Sequence, residues 1–170
     1  MSISNRTFSL IIMMLMLLFS AGCMKKESFP DTPQIGLNGF QLVFDTSMYA
    51  KKGVLSVTFQ DGDGNLGLSE RDTLSPYEKS GPYYYNFVIT YFEKQKGVFK
   101  TVALNPPFSG RLPLLSPNYP NKAIKGVIVD TLPMNPAPVF DTVKFEVFLY
   151  DRALNKSNVV TTPEIILRRR

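Results

Sequence analysis

The sequence predicts an all-β domain built as a two-sheet antiparallel sandwich. Three observations lead to this prediction: runs of alternating apolar and polar residues recur along the chain, turn residues separate them, and no stretch has the periodicity of a helix. About seven such runs lie between residues 34 and 167. A small closed barrel is the alternative arrangement that this pattern leaves open.

Four strands are predicted in the first half of the domain, at residues 35–45, 53–60, 82–94 and 98–104. The first places Phe40, Leu42 and Phe44 on one side. The third has aromatic and β-branched side chains on both faces, which is typical of a strand inside a sheet. A turn at 93–97 joins it to the fourth as a hairpin.

Three strands are predicted in the second half, at residues 122–132, 139–150 and 159–167. The segment 105–121 precedes them and is rich in proline, which cannot donate a ladder hydrogen bond, so we expect a surface excursion there. The clearest amphipathic strand is 139–150, where Val143, Phe145, Val147 and Leu149 form one face. This number of strands in one domain is typical of immunoglobulin or fibronectin III sandwiches, here without the cysteine pair or core tryptophan of antibody domains.

The N-terminus has the layout of a secretory signal: Arg6, then the apolar run Leu10–Phe19, then small residues before Cys23. The apolar run has about half of the roughly 20 residues that a membrane-spanning helix needs. The sequence Phe19-Ser20-Ala21-Gly22-Cys23 resembles the lipobox of bacterial lipoproteins, although Ser20 stands where leucine is common. The alternatives are an ordinary cleaved signal and a membrane-anchored N-terminus, and in both Cys23 is incidental.

The lipobox resemblance implies that Cys23 is the mature N-terminus and carries a diacylglycerol thioether and a further acyl chain such as palmitate. Two or more chains hold a protein on a membrane for long times. We therefore divide the chain into a signal peptide (1–22), a lipidated flexible tether (23–33), the sandwich (34–167) and a basic tail (168–170). Met24, rather than Asp, follows the cysteine, which resembles cargo sent to the outer membrane.

Two polar loops stand out, each directly after a predicted strand. One reads Asp61-Gly62-Asp63-Gly64-Asn65, and the other reads Asp151-Arg152-Ala153-Leu154-Asn155. Their combination resembles uncharacterised immunoglobulin-like lipoproteins of the Bacteroidota, a resemblance that implies a fold and an address but no activity. The second and sixth strands of an immunoglobulin-like domain run in the same direction, so we expect both loops at one end of the sandwich.

The loops supply oxygen atoms of the kind that Ca²⁺ prefers. The candidate ligands are Asp61, Asp63, Asn65, Asp151 and Asn155. An EF-hand is excluded, because Leu66 stands where that loop needs glycine and Asp72 where it needs glutamate. The alternative is that glycine, aspartate and asparagine only satisfy tight turns. Calcium is thus a possible cofactor, and no other cofactor is expected.

Catalysis is not expected, because the chain has no histidine, no Gly-x-Ser-x-Gly motif and no phosphate-binding loop. We predict a non-catalytic, lipid-anchored envelope protein that serves as an interaction or structural module. Its partners are then the membrane and an unknown envelope protein or glycan, with no nucleic acid, since the tail 168–170 reads as a solvated chain end. The alternatives are a calcium-dependent adhesion module and a glycan-binding lipoprotein whose tyrosine rings stack on sugars. The candidate rings are Tyr83, Tyr84, Tyr85, Tyr91 and Tyr119.

Overall fold

The computed structural model describes residues 28–46, 49–116, 121–135 and 138–168. The predicted signal peptide, Cys23 and residues 24–27 of the predicted tether lie outside the described residues, as does Tyr119. Within the described ranges the chain forms no helix, and therefore no helix that is long and apolar enough to cross a membrane.

The described residues contain eight strands. In chain order they are β1 (Gln34–Phe44), β2 (Ala50–Asp61), β3 (Phe87–Gln95), β4 (Val98–Thr101), β5 (Ile124–Pro133), β6 (Thr142–Leu149), β7 (Val160–Thr161) and β8 (Ile165–Ile166).

The strands form two sheets. One has the order β1-β2-β5, and the other has the order β4-β3-β6-β7 with β8 also paired to β6. Every pairing between these strands is antiparallel. The prediction of an all-β fold with two antiparallel sheets is therefore confirmed, and the closed barrel is wrong.

The core lies between the sheets and follows the alternation predicted for β2 and β6. Leu55 and Val57 of β2 are buried, as are all four apolar residues of the predicted β6 face. Phe145 is at the centre, with its ring 5.2 Å from that of Phe40 and 5.5 Å from that of Tyr91. Residues with a period of two thus place one face of each sheet against the other.

A β-bulge in β1 changes which residues face the core. The register with β2 shifts between Leu37 and Gly39, so that Asn38 is an extra residue in β1. Ile35 and Leu37 pack on the core before the bulge, and Phe40 and Leu42 pack on it after the bulge. Because of the extra residue, the inward-facing positions are odd-numbered before the bulge and even-numbered after it. Phe40, Leu42 and Phe44, which were predicted to share a face, therefore all pack on the core.

The third and seventh predicted strands differ most in extent from the structure. Residues 82–86 lie in a loop, and β3 begins only at Phe87. The predicted strand 159–167 is broken into β7 and β8, because Pro163 has no N–H group and the Thr162 hydroxyl accepts the hydrogen bond from the Phe145 N–H at 3.0 Å. At the break the Thr162 N–H still donates to the Phe145 carbonyl at 2.9 Å, and the Thr162 side chain replaces one ladder acceptor.

Candidate cation site

Two strands deliver aspartates to the same end of the sandwich. On β2 the inward positions Leu55, Val57 and Phe59 are followed, two residues on, by Asp61. On β6 the inward positions end at Leu149, and Asp151 follows two residues later. Both carboxylates therefore point into the space between the sheets, where Asp61 is 0% exposed and Asp151 is 1% exposed.

The structure brings the two polar loops together, as the strand order predicts. Leu66 and Asp151 form an isolated antiparallel bridge, and the Arg152 N–H donates to the Asn65 carbonyl at 3.3 Å. The loop after β2 is also tightly packed: Gly64 has a φ of 69°, and a Cβ atom there would lie 2.0 Å from the Lys122 carbonyl oxygen. Glycine is thus required at this position by conformation and by space.

Each loop holds one aspartate–asparagine pair with the same hydrogen-bonding pattern. Asn65 donates to the Asp63 carboxylate from its backbone at 3.2 Å and from its side-chain amide at 2.6 Å. Asn155 donates to both oxygens of Asp151 in the same way, at 2.8 Å each. These bonds satisfy the turns, as the turn interpretation of the sequence requires.

Asp61 has no such partner. Both of its carboxylate oxygens are buried without a hydrogen bond among the described residues, and so is Oδ1 of Asn65. The backbone N–H groups of Asn65 and Leu66 are near enough to lower the pKa of Asp61 slightly, but neither reaches it with hydrogen-bond geometry. A carboxylate buried in this way is costly, because it loses its water and gains only the electrostatic attraction of these two N–H groups in exchange.

The electrostatics of the site follow from this burial. Loss of solvent, and then the negative charges of Asp63 and Asp151, raise the pKa of Asp61 to about 7. Burial also raises the pKa of Asp151, with Asp63 adding to the effect, although the Asn155 hydrogen bonds oppose it. Asp61 and Asp151 therefore share a region in which their charged forms are disfavoured.

Arg152 does not neutralise this cluster. Its guanidinium pairs with the Asp72 carboxylate, 2.9 Å away. Although burial opposes the change, hydrogen bonds from Ser69 and the charge of Arg152 lower the pKa of Asp72. The arginine in the second loop is thus engaged with a carboxylate outside the candidate ligand set.

The predicted tether reaches the same end of the molecule. The Gly62 N–H donates to the Pro30 carbonyl at 2.8 Å, and Pro33 is fully buried. A Cβ atom on Gly62 would lie 2.3 Å from the Phe29 carbonyl oxygen. Residues 28–33 therefore pack on the domain directly beside the first polar loop.

The four candidate tyrosine rings among the described residues do not form a flat platform. Tyr91 is buried in the core. Tyr83 meets Tyr150 at 80°, and Tyr84 meets Tyr85 at 75°, so neighbouring rings stand nearly perpendicular. A sugar ring stacks on exposed faces in one plane, and this geometry does not provide such faces.

Sequence reasoning missed two features of this end. One is that Asp61 faces inward, although positions 55, 57, 59 and 61 carry that signal in their period of two. The other is Arg111, whose guanidinium donates to the carbonyls of Ser69, Asp72, Tyr77 and Tyr84 and thereby holds the loop after β2. A single arginine in a proline-rich segment gives no local signal of this role.

Comparisons with known proteins add no assignment: no protein-family model matches the chain, and no curated protein matches it significantly. Within the described residues, no three acidic, imidazole or thiolate groups already surround one point at metal-ligand distance. Any cation at this end must therefore draw the oxygens of Asp61, Asp63 and Asp151 closer together than they stand.

Proposed function

We propose that this protein is a lipid-anchored, non-catalytic module of the bacterial cell envelope that acts through interaction or structural support. We further propose that the sandwich is of immunoglobulin-like type and that the lipid anchor is attached at Cys23. The proposal includes the outer membrane as the location, on the resemblance of Cys23-Met24 to lipoproteins sorted there.

The burial of the perturbed carboxylates carries the non-catalytic part of this proposal. An acid or base must reach within hydrogen-bonding distance of its substrate to transfer a proton. Asp61 and Asp151 have raised pKa values, but at 0% and 1% exposure neither is within reach of a substrate as large as a sugar ring or a peptide. The raised pKa values of Asp61 and Asp151 therefore arise from burial within the fold and not from a position in a substrate-binding cleft.

The short separation in sequence between Cys23 and Ser28, where the described part of the chain begins, supports a role close to the membrane. The five residues that follow Cys23 span at most about 18 Å when fully extended. Pro30 is already bonded to Gly62, so the end of the sandwich that holds the polar loops lies near the anchor. The opposite end, with the β3–β4 turn at Lys96 and Gly97, then faces away from the membrane and is available to a partner.

Replacement of Cys23 tests the anchor. The Cys23→Ala variant should leave the membrane fraction, because the acyl chains supply the membrane affinity at about 0.8 kcal/mol per buried CH₂ group. Fractionation of cells followed by a high-salt wash measures this, and Met24→Ala is the matched control that keeps the cysteine. An alanine variant at position 23 that still pellets after the wash would show the anchor proposal to be wrong.

A further inference from the structure

The three carboxylates at the loop end are not equivalent. Asp63 and Asp151 each receive two hydrogen bonds from an asparagine, and Asp61 receives none although it is the most deeply buried of the three. Turn chemistry accounts for the two paired aspartates completely. It gives no reason for a third carboxylate at the end of the inward face of β2, where an apolar residue would extend the core.

The unsatisfied atoms at this end are all acceptors. They are the two carboxylate oxygens of Asp61 and Oδ1 of Asn65, and they are buried between the ends of β2 and β6. Acceptors without donors, next to two further negative groups, call for a positive partner. Arg152 does not provide it, since its guanidinium binds Asp72.

We propose that this end of the sandwich binds one calcium ion between the 61–65 and 151–155 loops, with Asp61 as the central ligand. Calcium takes six to eight oxygen ligands in flexible geometry, and carboxylate, amide and backbone oxygens all serve. Asp61 and Asn65 offer free oxygens from the first loop, and Asp151 faces them from the second. Neither loop supplies enough oxygens alone.

The two aspartate–asparagine pairs remain intact when calcium binds. An ionised carboxylate has about four lone-pair sites on its two oxygens, so Asp63 and Asp151 can accept the asparagine N–H groups and still coordinate a cation. The pairs fix the orientation of both carboxylates, as outer hydrogen bonds do in known metal sites. Binding therefore requires the oxygens of Asp61, Asp63 and Asp151 to close around the ion.

Calcium is favoured over magnesium by the same geometry. Magnesium requires a near-ideal octahedron and retains several water molecules, whereas this site lies between two sheets with Asp61 and Asp151 almost fully buried. Bound calcium joins the loop after β2 to the loop after β6, at the point where Leu66 and Asp151 already form a bridge. The ion therefore stabilises the end of the fold that lies next to Pro30.

Thermal unfolding of the full chain in detergent tests this site. Calcium chloride should raise the melting temperature of metal-stripped protein, with one ion bound per chain in calorimetry and a dissociation constant of about 10⁻³ M or tighter. Magnesium chloride at equal concentration should raise it much less. Asp61→Asn should abolish the calcium-induced rise, and Asp63→Asn, at a partly exposed position, should weaken calcium binding at least tenfold.

Glu70→Gln is the matched control, because it removes one negative charge from an exposed position on the same loop. It should leave the response to calcium unchanged. If calcium gives wild-type protein no rise beyond that given by magnesium, or if Asp61→Asn responds as wild type does, the site does not exist. Should Asp61→Asn fail to fold, an unweakened response of Asp63→Asn would overturn the proposal instead.

Discussion

The loops 61–65 and 151–155 use one hydrogen-bonding pattern, but the first contains a carboxylate that the second lacks. In both, the backbone and side-chain N–H groups of an asparagine bind the two oxygens of an aspartate. The first loop adds Asp61, which is fully buried and unbonded. The shared pattern builds the turns, and the difference between the loops is the carboxylate at which we propose that calcium binds.

The same comparison separates a buried carboxylate whose oxygens accept hydrogen bonds from a buried carboxylate whose oxygens accept none. Asp151 is buried with two donors, so its carboxylate replaces water by protein hydrogen bonds. Asp61 is buried to the same degree, and within the described residues no group forms a hydrogen bond with either of its carboxylate oxygens. Equal burial therefore has opposite consequences for stability at the two positions.

Removal of the paired carboxylates should produce the largest losses of stability. Asp151→Ala leaves the N–H groups of Asn155 without acceptors in a buried site, and we expect the free energy of unfolding to fall by roughly 2–3 kcal/mol. Asp63→Ala breaks the same pattern in a partly exposed loop, and we expect a loss of about 1 kcal/mol. Urea denaturation of metal-stripped protein measures both values. Equal losses would mean that burial does not distinguish the two loops.

Removal of the arginine should have the smallest effect. Arg152→Gln breaks a partly exposed ion pair with Asp72, and exposed pairs contribute about 0.2–1 kcal/mol. The Ser69 hydrogen bonds still hold Asp72 in place. We expect an unchanged response to calcium in the melting experiment. A changed response would show that Arg152, and not an ion, is the charge partner of Asp61.

Local sequence patterns predicted the sandwich well where a strand is regular. Val143 to Leu149 alternate without interruption, and all four inward residues are buried as expected. The pattern failed at Tyr83–Tyr85, whose high β propensity suggested a strand although they lie in a loop. Contacts distant in sequence hold that loop: Arg111 bonds the Tyr84 carbonyl, and the buried Asn86 accepts from the Leu112 N–H.

The sequence predicted which residues lie at the candidate site, but it did not predict which carboxylate lacks a hydrogen-bond donor. Oxygen ligands at Asp61, Asp63 and Asn65 are visible in the sequence, and the common end of β2 and β6 follows from strand order. The sequence does not reveal which carboxylate lacks a donor, because that depends on how each asparagine turns within its loop. The presence of Asp63 and Asp151 is explained by hydrogen bonds within their own loops, and only the three-dimensional structure shows these bonds.

The pH dependence of stability, measured with and without calcium, tests the account of Asp61 most directly. In metal-free protein its pKa is raised from 3.8 to about 7, so the folded chain binds an extra proton between those values. The contribution of Asp61 to stability is then greatest below the lower value and falls as pH rises, by up to about 1.4 kcal/mol per pH unit. Asp151, whose pKa is also raised, acts in the same direction.

Calcium should reverse this behaviour, because it binds the ionised carboxylates and gains affinity as protons leave. Urea denaturation at about pH 5 and about pH 8 should show a marked loss for metal-free wild type, a smaller loss for Asp61→Asn, and no loss for wild type in calcium. If the metal-free loss is the same in wild type and Asp61→Asn, or if calcium leaves it unchanged, then Asp61 is not the carboxylate that requires a cation.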